Sequence, residues 1–145
     1  MIAHDIVSYD GFYRAQGVRA VSLRELLLVS DIVTLHVPLD ASTHGFIGAR
    51  EIALMKSSAF LLNTARGGLV DEAALKAALV EARIGGAAFD VYATEPPTDR
   101  ELLALPNVVP VPHVGASTEE SVLAMGRAAI EGLSDPTREI ALSKP

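Results

Sequence analysis

Apolar and polar residues follow one another along the chain in blocks, and these blocks predict alternating strands and helices. The runs AFLLNT (59–64) and GAAFDVY (86–92) are almost continuously apolar, as in strands that are buried on both faces of a parallel sheet. Segment 70–83 instead places Ala and Leu at helical spacing, with Asp71 as a helix cap. The predicted strands are 5–10, 31–37, 59–64, 86–92 and 107–112, and the predicted helices are 22–30, 48–55, 70–83 and 117–133.

Strands that alternate with helices over short connections predict an α/β fold with an open parallel sheet and right-handed crossovers. The prolines of NVVPVP (107–112) cannot donate to a strand ladder, so we expect this strand at a sheet edge. Ser22 with Glu25, and Ser117 with Glu120, fit the capping-box pattern at helix starts. In such a sheet ligands bind just beyond the carboxyl ends of the strands, which directs attention to polar residues there.

Composition and charge narrow the class of protein. A chain of 145 residues suits one domain with its own core. The net charge is −6 and no Lys/Arg cluster stands out, which argues against binding to nucleic acid through a phosphate-neutralising patch. There is no cysteine, in agreement with a cytoplasmic location, and no apolar run of the about 20 residues that crosses a bilayer. We therefore expect a soluble, cytoplasmic chain without a membrane partner.

Three residues that could take part in catalysis or binding follow predicted strands. Arg66 comes after the buried strand 59–64, Glu95 after the strand 86–92, and His113 directly after the last strand. Singly they fit a surface arginine, a solvated loop acid and a satisfied histidine. The carboxyl ends of parallel strands meet at one edge, however, so the three side chains could converge. A histidine beside a carboxylate suits general acid/base work, and an arginine can grip a substrate carboxylate. Together they suit redox chemistry on a hydroxy acid.

Two further acids are ambiguous from their local sequence. Asp10 ends the first predicted strand, where an acid can bind the adenosine ribose of a dinucleotide, but an Asp before Gly is also a common turn residue. A glycine-rich phosphate loop should precede such an acid by about 20 residues. Only nine residues precede Asp10. Asp90 lies inside an apolar strand and is either a ligand contact or a structural acid with a partner.

Four segments carry a family resemblance: SDIVTLHVPLDASTHGFIG, NTARGGLVDEAAL, FDVYATEPP and PHVGASTEES. In this order and spacing they resemble the nucleotide-binding domain of NAD-dependent D-2-hydroxyacid dehydrogenases, and GAST resembles the phosphoglycerate branch. The resemblance runs from about residue 5 to about residue 133. It implies a Rossmann-type, doubly wound parallel sheet in three α/β/α layers, with NAD as cofactor and a small 2-hydroxy or 2-keto acid as substrate.

The resemblance also assigns roles to residues. It makes Arg66 the clamp on the substrate carboxylate, His113 the acid/base on the hydroxyl, and Glu95 the partner that stabilises the imidazolium. It implies that Asp10 binds the ribose and that Asp90 lies near the nicotinamide carboxamide. The implied cofactor-binding residues are Asp10, Val37, Pro38, Thr64, Ala65, Arg66, Asp90, His113, Gly115 and Ala116.

The chain also departs from the pattern that the family shows. We expect an incomplete domain over 1–133, lacking the first strand, phosphate loop and helix as well as the substrate domain, and a tail at 134–145 that is loosely held. Weak NAD binding and little turnover follow from that expectation. Two alternatives remain open: a non-catalytic, corepressor-like NAD-binding module, and a fragment that oligomerises through its sheet edge. We expect a homodimer for the enzyme.

Overall fold

The computed structural model describes residues 1–134, so most of the tail predicted at 134–145 lies outside the described residues. The chain forms two compact units, residues 1–113 and the segment from Val114 onward. The strands of the first unit are β1 (Ile2–Ala3), β2 (Arg19–Ala20), β3 (Ile32–Leu35), β4 (Phe60–Asn63), β5 (Gly86–Phe89) and β6 (Val108–Pro110). Its helices are α1 (Asp10–Ala15), α2 (Leu23–Val29), α3 (Ala49–Ile52), α4 (Glu72–Val80) and α5 (Arg100–Leu103), and the second unit contains α6 (Glu119–Ser134).

Four strands form a parallel sheet in the order β3-β4-β5-β6, with helices in the connections between them. The predicted parallel α/β fold is therefore confirmed, and β6 lies at an edge of this sheet as its prolines predict. The register pairs Leu35 with Asn63, Asn63 with Phe89, and Phe89 with Pro110. All four strands thus end in the same row, and the segments that follow them leave the sheet along one edge.

The strand predicted at 5–10 is wrong. Strand β1 covers Ile2–Ala3 and pairs in parallel with β2 in a separate two-stranded sheet, while Asp10 is the first residue of α1. The carboxylate of Asp5 accepts the backbone N–H of Val7 at 2.9 Å, an Asx-type turn that ends the extended segment. Ile6 is 98% exposed, so the apolar residues of this stretch mark no buried strand.

Side-chain caps mark most of the helix starts. The Ser22 hydroxyl accepts from the N–H of Glu25 and the Asp71 carboxylate from the N–H of Ala74, which confirms these two predicted caps. For the last helix the prediction of Ser117 is wrong. Thr118 accepts the N–H of Ser121 at 3.2 Å instead, one residue later.

Two short helices, α1 and α5, were not predicted, because neither is long enough to show a helical repeat. Helix α5 has four residues, and its start is fixed by the Asp99 carboxylate, which accepts the N–H of Leu102 at 3.0 Å.

The core of the first unit is mostly aliphatic, with Phe89 and Tyr92 among its members. Leu27 of α2, Ile52 of α3, Leu61 of β4 and Leu75 of α4 are almost completely buried in one apolar cluster. Packing of helices on the sheet stabilises the frame whose carboxyl edge carries the polar residues. Within residues 1–134, no helix combines the length and apolar character that crossing a membrane requires.

Candidate functional site

The loop after β4 is held by a buried amide. Asn63, the last residue of β4, is 1% exposed, and its Nδ2 donates to the carbonyl of Arg66 at 2.9 Å. Its Oδ1 accepts the N–H of Ala65 at 3.2 Å. Asn63 therefore fixes the backbone on which Arg66 stands. Sequence reasoning noted it only as a strand end. A polar residue that closes an apolar strand needs buried partners, and that signal could have identified it.

Arg66 itself is exposed, and its Nη1 donates to the carbonyl of Ala65 at 2.7 Å. The segments after β3 and β4 together line an open cleft of about 680 Å³, in the range of small-molecule sites. Its lining residues are His36, Val37, Pro38, Leu39, Thr64, Ala65 and Arg66. Five of the residues predicted to bind cofactor thus line one cleft, and His36 and Leu39 join them without having been predicted.

Glu95 and His113 form a hydrogen-bonded pair at the ends of β5 and β6. The Glu95 Oε2 lies 2.7 Å from the Nδ1 of His113. His113 has a positive φ of 51°, a left-handed conformation that histidine adopts more readily than most residues and that ends the extended strand segment. The pair remains open to solvent, with the His113 side chain 55% and the Glu95 side chain 37% exposed. Two of the three residues expected to converge, Glu95 and His113, are thus in direct contact.

The other oxygen of Glu95 is also engaged. Its Oε1 accepts the backbone N–H of Tyr92 at 3.0 Å. The hydrogen bond from His113 and then that from Tyr92 hold the pKa of the Glu95 carboxyl below its ordinary value. An ionised carboxylate only accepts hydrogen bonds, so the proton between Glu95 and His113 belongs to Nδ1. With that proton on Nδ1, the neutral tautomer of the ring has Nε2 unprotonated, the form that a general base requires.

A close backbone approach joins the Arg66 loop to the Glu95 loop. A Cβ placed on Gly67 would lie 1.8 Å from the carbonyl oxygen of Tyr92 and 2.9 Å from the nitrogen of Ala93. Only glycine allows this approach. The structure therefore sets the loop that carries Arg66 directly against the loop that positions Glu95.

Asp90 follows β5 immediately and is 7% exposed, and its N–H donates to the carbonyl of Asn63 at 3.0 Å. It thus lies on the same edge of the sheet as the cleft. Gly115 and Ala116 belong to the second unit, in the turn before α6. In that turn Ala116 has the left-handed backbone, with φ at 91°.

Asp10 is placed differently from the prediction. Asp10 lies in the first turn of α1 and accepts a hydrogen bond from the Ser8 hydroxyl, so it does not end a strand. The acid just past the end of β1 is Asp5, two residues after Ala3. The sequence-based reading missed Asp5 because it placed the strand too late. A strand-end acid is the position that the ribose contact requires.

Among the described residues, His, Asp and Glu form no group of three or more that could hold a metal ion. The edge carries the hydrogen-bonded Glu95–His113 pair, the guanidinium of Arg66 and an open cleft lined by the segments after two strands.

Residues 1–115 match the NAD-binding domain of the D-isomer specific 2-hydroxyacid dehydrogenases. The chain is 45% identical over 140 residues to a D-3-phosphoglycerate dehydrogenase of Methanocaldococcus jannaschii, covering 92% of this chain and 27% of that protein. It is 47% identical over 125 residues to a glycerate dehydrogenase of Methylorubrum extorquens, covering 84% and 37%.

Solved structures agree with these sequence relatives. A glyoxylate reductase from Paecilomyes thermophila superposes with a TM-score of 0.86 at 36% identity, over 92% of this chain and 40% of that one. An NAD-complexed D-isomer specific 2-hydroxyacid dehydrogenase of Lactobacillus delbrueckii superposes with a TM-score of 0.80 at 32% identity, over 99% and 48%. The chain spans less than half the length of each of these proteins.

Proposed function

The chain belongs to the D-isomer specific 2-hydroxyacid dehydrogenase family through its NAD-binding domain, and we propose that it serves hydride transfer between NAD and a small D-2-hydroxy acid. The observation that carries this proposal is the Glu95–His113 pair, 2.7 Å apart, on the sheet edge that also carries the cleft. Such an edge is where ligands bind in open α/β sheets. A proton-transfer pair beside a dinucleotide cleft suits the oxidation of an alcohol to a ketone.

The residues of the cleft fit a dinucleotide. Val37, Pro38, Thr64 and Ala65 follow the ends of two neighbouring strands and would line it, and Asp90 stands on the same edge. When bound, NAD supplies the hydride acceptor, or in its reduced form the donor. In the proposed arrangement Gly115 and Ala116 contribute the turn beyond His113.

For the ribose contact we propose Asp5 in place of Asp10. The acid of a dinucleotide-binding sheet stands at a strand end, and Asp5 has that place in this structure. Asp5→Ala should weaken NAD binding about tenfold, by loss of a charge-assisted hydrogen bond, while Asp10→Ala should leave the affinity unchanged. Titration calorimetry with NAD measures both, and the reverse ranking would restore the original assignment.

His113 is the proposed acid/base. In the direction of oxidation its Nε2 takes the hydroxyl proton of the substrate while the Nδ1–H remains hydrogen-bonded to Glu95. Glu95 then faces the imidazolium that forms, and in the reverse direction the ring returns the proton to the carbonyl oxygen. Glu95 thus sets the tautomer that leaves Nε2 available.

Arg66 is the proposed clamp for the substrate carboxylate. Its guanidinium is exposed at the cleft, and its single described hydrogen bond is to the carbonyl of Ala65, which leaves further donors for a carboxylate. Among 2-hydroxy acids we propose a glycerate skeleton, because the relatives reported above include D-3-phosphoglycerate and glycerate dehydrogenases.

We also propose that the protein works as a homodimer in the cytoplasm. Helix α6 exposes large apolar side chains: Val122, Leu123, Met125, Ile130 and Leu133 are each more than half exposed. Apolar surface of this kind favours association. Sedimentation of the chain at two concentrations tests the dimer, and a monomer at both contradicts it.

Turnover by this chain alone should be slow. His113 and Glu95 are 55% and 37% exposed, whereas hydride-transfer sites exclude water around the reacting atoms. The test follows the absorbance of NADH with hydroxypyruvate, glyoxylate and 2-ketoglutarate in turn. A measurable rate that His113→Gln lowers about 100-fold or more supports the proposal.

A matched control is His44→Gln, since His44 is an exposed histidine outside the proposed pair. An equal loss in both variants would contradict the role of His113. NAD binding without turnover of any 2-keto acid by the wild-type chain would favour the non-catalytic module.

A further inference from the structure

A glutamate at the start of α4 reaches the loop that carries Glu95. Glu72 is the first residue of α4 and is half-buried, and its Oε1 accepts the backbone N–H of Ala93 at 2.7 Å. The two residues are 21 positions apart in sequence, so this hydrogen bond joins two separate segments of the edge. A carboxylate bound to a backbone amide is one of the stronger hydrogen bonds in proteins.

The neighbouring amide has Glu95 as its partner. The N–H of Tyr92 donates to Glu95, and the next N–H, that of Ala93, donates to Glu72. Two consecutive backbone N–H groups thus donate to two different carboxylates. The conformation of this turn decides where the Glu95 side chain leaves the backbone. Glu72 holds one of the two amides from outside the turn.

A second contact acts on the same peptide from the other side. Gly67 packs against the carbonyl of Tyr92 and the nitrogen of Ala93, at distances that leave no room for a Cβ. Gly67 and Glu72 lie on the same continuous segment, which runs from β4 into α4. That segment therefore fixes the peptide between Tyr92 and Ala93 in two ways. Gly67 packs against it, and Glu72 accepts a hydrogen bond from its N–H.

We propose that Glu72 is a positioning residue for the Glu95–His113 pair. By fixing the N–H of Ala93 it holds the turn in the one conformation in which Glu95 can accept from Tyr92 and from His113 together. The proposal rests on the proposed function for its catalytic meaning. Glu72 does not touch the reacting atoms and acts only through Glu95.

If Glu72 only stabilises α4, the same variants should give different results. An acid in the first turn of a helix stabilises that helix through the helix dipole, whatever lies beyond it. Such a role depends on the charge, so Glu72→Gln would reproduce the loss seen in Glu72→Ala. The positioning role depends on the Oε1 acceptor, which glutamine keeps. Glu25, a first-turn glutamate of α2 bound to the Arg19 side chain, offers the matched control Glu25→Ala.

The test needs no turnover in its first part. Amide hydrogen exchange by NMR should show the N–H groups of Ala93 and Tyr92 exchanging about tenfold faster or more in Glu72→Ala. The same amides should exchange at the wild-type rate in Glu72→Gln and in Glu25→Ala. If Glu72→Ala fails to fold, Glu72→Asp replaces it, since the shorter side chain keeps the charge but withdraws the acceptor.

The second part of the test measures the state of the Glu95–His113 pair directly. The ring ¹⁵N signals of His113 should show the Nδ1-protonated tautomer in the wild type and in Glu72→Gln, and a mixture of tautomers in Glu72→Ala. In chains that turn over a 2-keto acid, Glu72→Ala should lower kcat about tenfold or more while the KM for NADH stays unchanged.

Two outcomes would overturn the positioning role: an unchanged His113 tautomer in Glu72→Ala, or equal effects of Glu72→Ala and Glu72→Gln. An absence of turnover in the wild type, with the tautomer differences intact, would instead count against the proposed function alone.

Discussion

Replacing Gly67 by alanine should break the junction between the loop that carries Arg66 and the loop that carries Glu95. The new Cβ would stand 1.8 Å from the carbonyl oxygen of Tyr92, and an ordinary contact begins at 3.4 Å, so the loops must separate by about 1.6 Å. The new Cβ collides with backbone atoms of Tyr92 and Ala93, so no flexible side chain can move out of the way. Gly67 does not have a positive φ, so the effect measures the collision and not backbone strain.

The magnitude follows from what a shift of that size would disrupt. Overpacking costs about 1–3 kcal/mol, and a displacement of about 1.6 Å also stretches the 2.7 Å hydrogen bond between Ala93 and Glu72 beyond bonding range. We expect Gly67→Ala to lower the free energy of unfolding by about 3 kcal/mol, a large share of the about 5–15 kcal/mol typical of a domain.

Urea denaturation followed by circular dichroism measures this loss. The control is Gly126→Ala in α6, because a Cβ at Gly126 meets nothing within 4 Å. That change should stabilise the chain by about 0.5–1 kcal/mol, through the helix preference of alanine over glycine. A Gly67→Ala variant within about 0.5 kcal/mol of the wild type would refute the reasoning, since surface changes without contacts stay in that range.

Three further changes test single contacts. Asn63→Ala leaves the carbonyl of Arg66 without its buried donor and should cost about 2–3 kcal/mol in urea denaturation, and a neutral result would contradict its role in the loop. Asp71→Ala removes the cap of α4 and should cost about 1 kcal/mol, which thermal unfolding detects. The folded-state pKa of Glu95 is lowered by His113, so its contribution is present above about pH 4.5 and is lost as the pH falls through the lower folded value. Glu95→Gln should therefore unfold more easily than the wild type near neutral pH, with a difference that shrinks below about pH 4.5, and a difference independent of pH would contradict this.

Most of the sheet could be predicted from its apolar runs, although only β5 is buried along nearly its whole length and Phe60 of β4 is 48% exposed. The runs that became β4 and β5 contain little but apolar residues, and burial of such residues leaves few alternatives to a central parallel strand. Short elements were beyond prediction for the opposite reason. Helices α1 and α5 have six and four residues, and β1 and β2 have two each, too few for a period to appear.

The acid near the start of the chain shows how a misplaced strand misplaces a site. The stretch DIVSYD has apolar residues at Ile6 and Val7, but both are exposed, because β1 ends at Ala3 and the Asp5 carboxylate turns the chain. The role assigned by resemblance to Asp10 depended on a strand ending there. With that strand gone, Asp5 takes the position.

By itself, the sequence determined the parallel α/β fold, the family, and the presence of Arg66, Glu95 and His113 behind strand ends. Periodicity and motif spacing carry this information because they are local properties of the chain. Only the tertiary structure decided that the strands end in one row, that Glu95 accepts from both His113 and Tyr92, and that Asn63, Gly67 and Glu72 hold the loops. Those contacts join residues from different strands and loops, and their distances depend on sheet register and backbone packing, which no local pattern encodes.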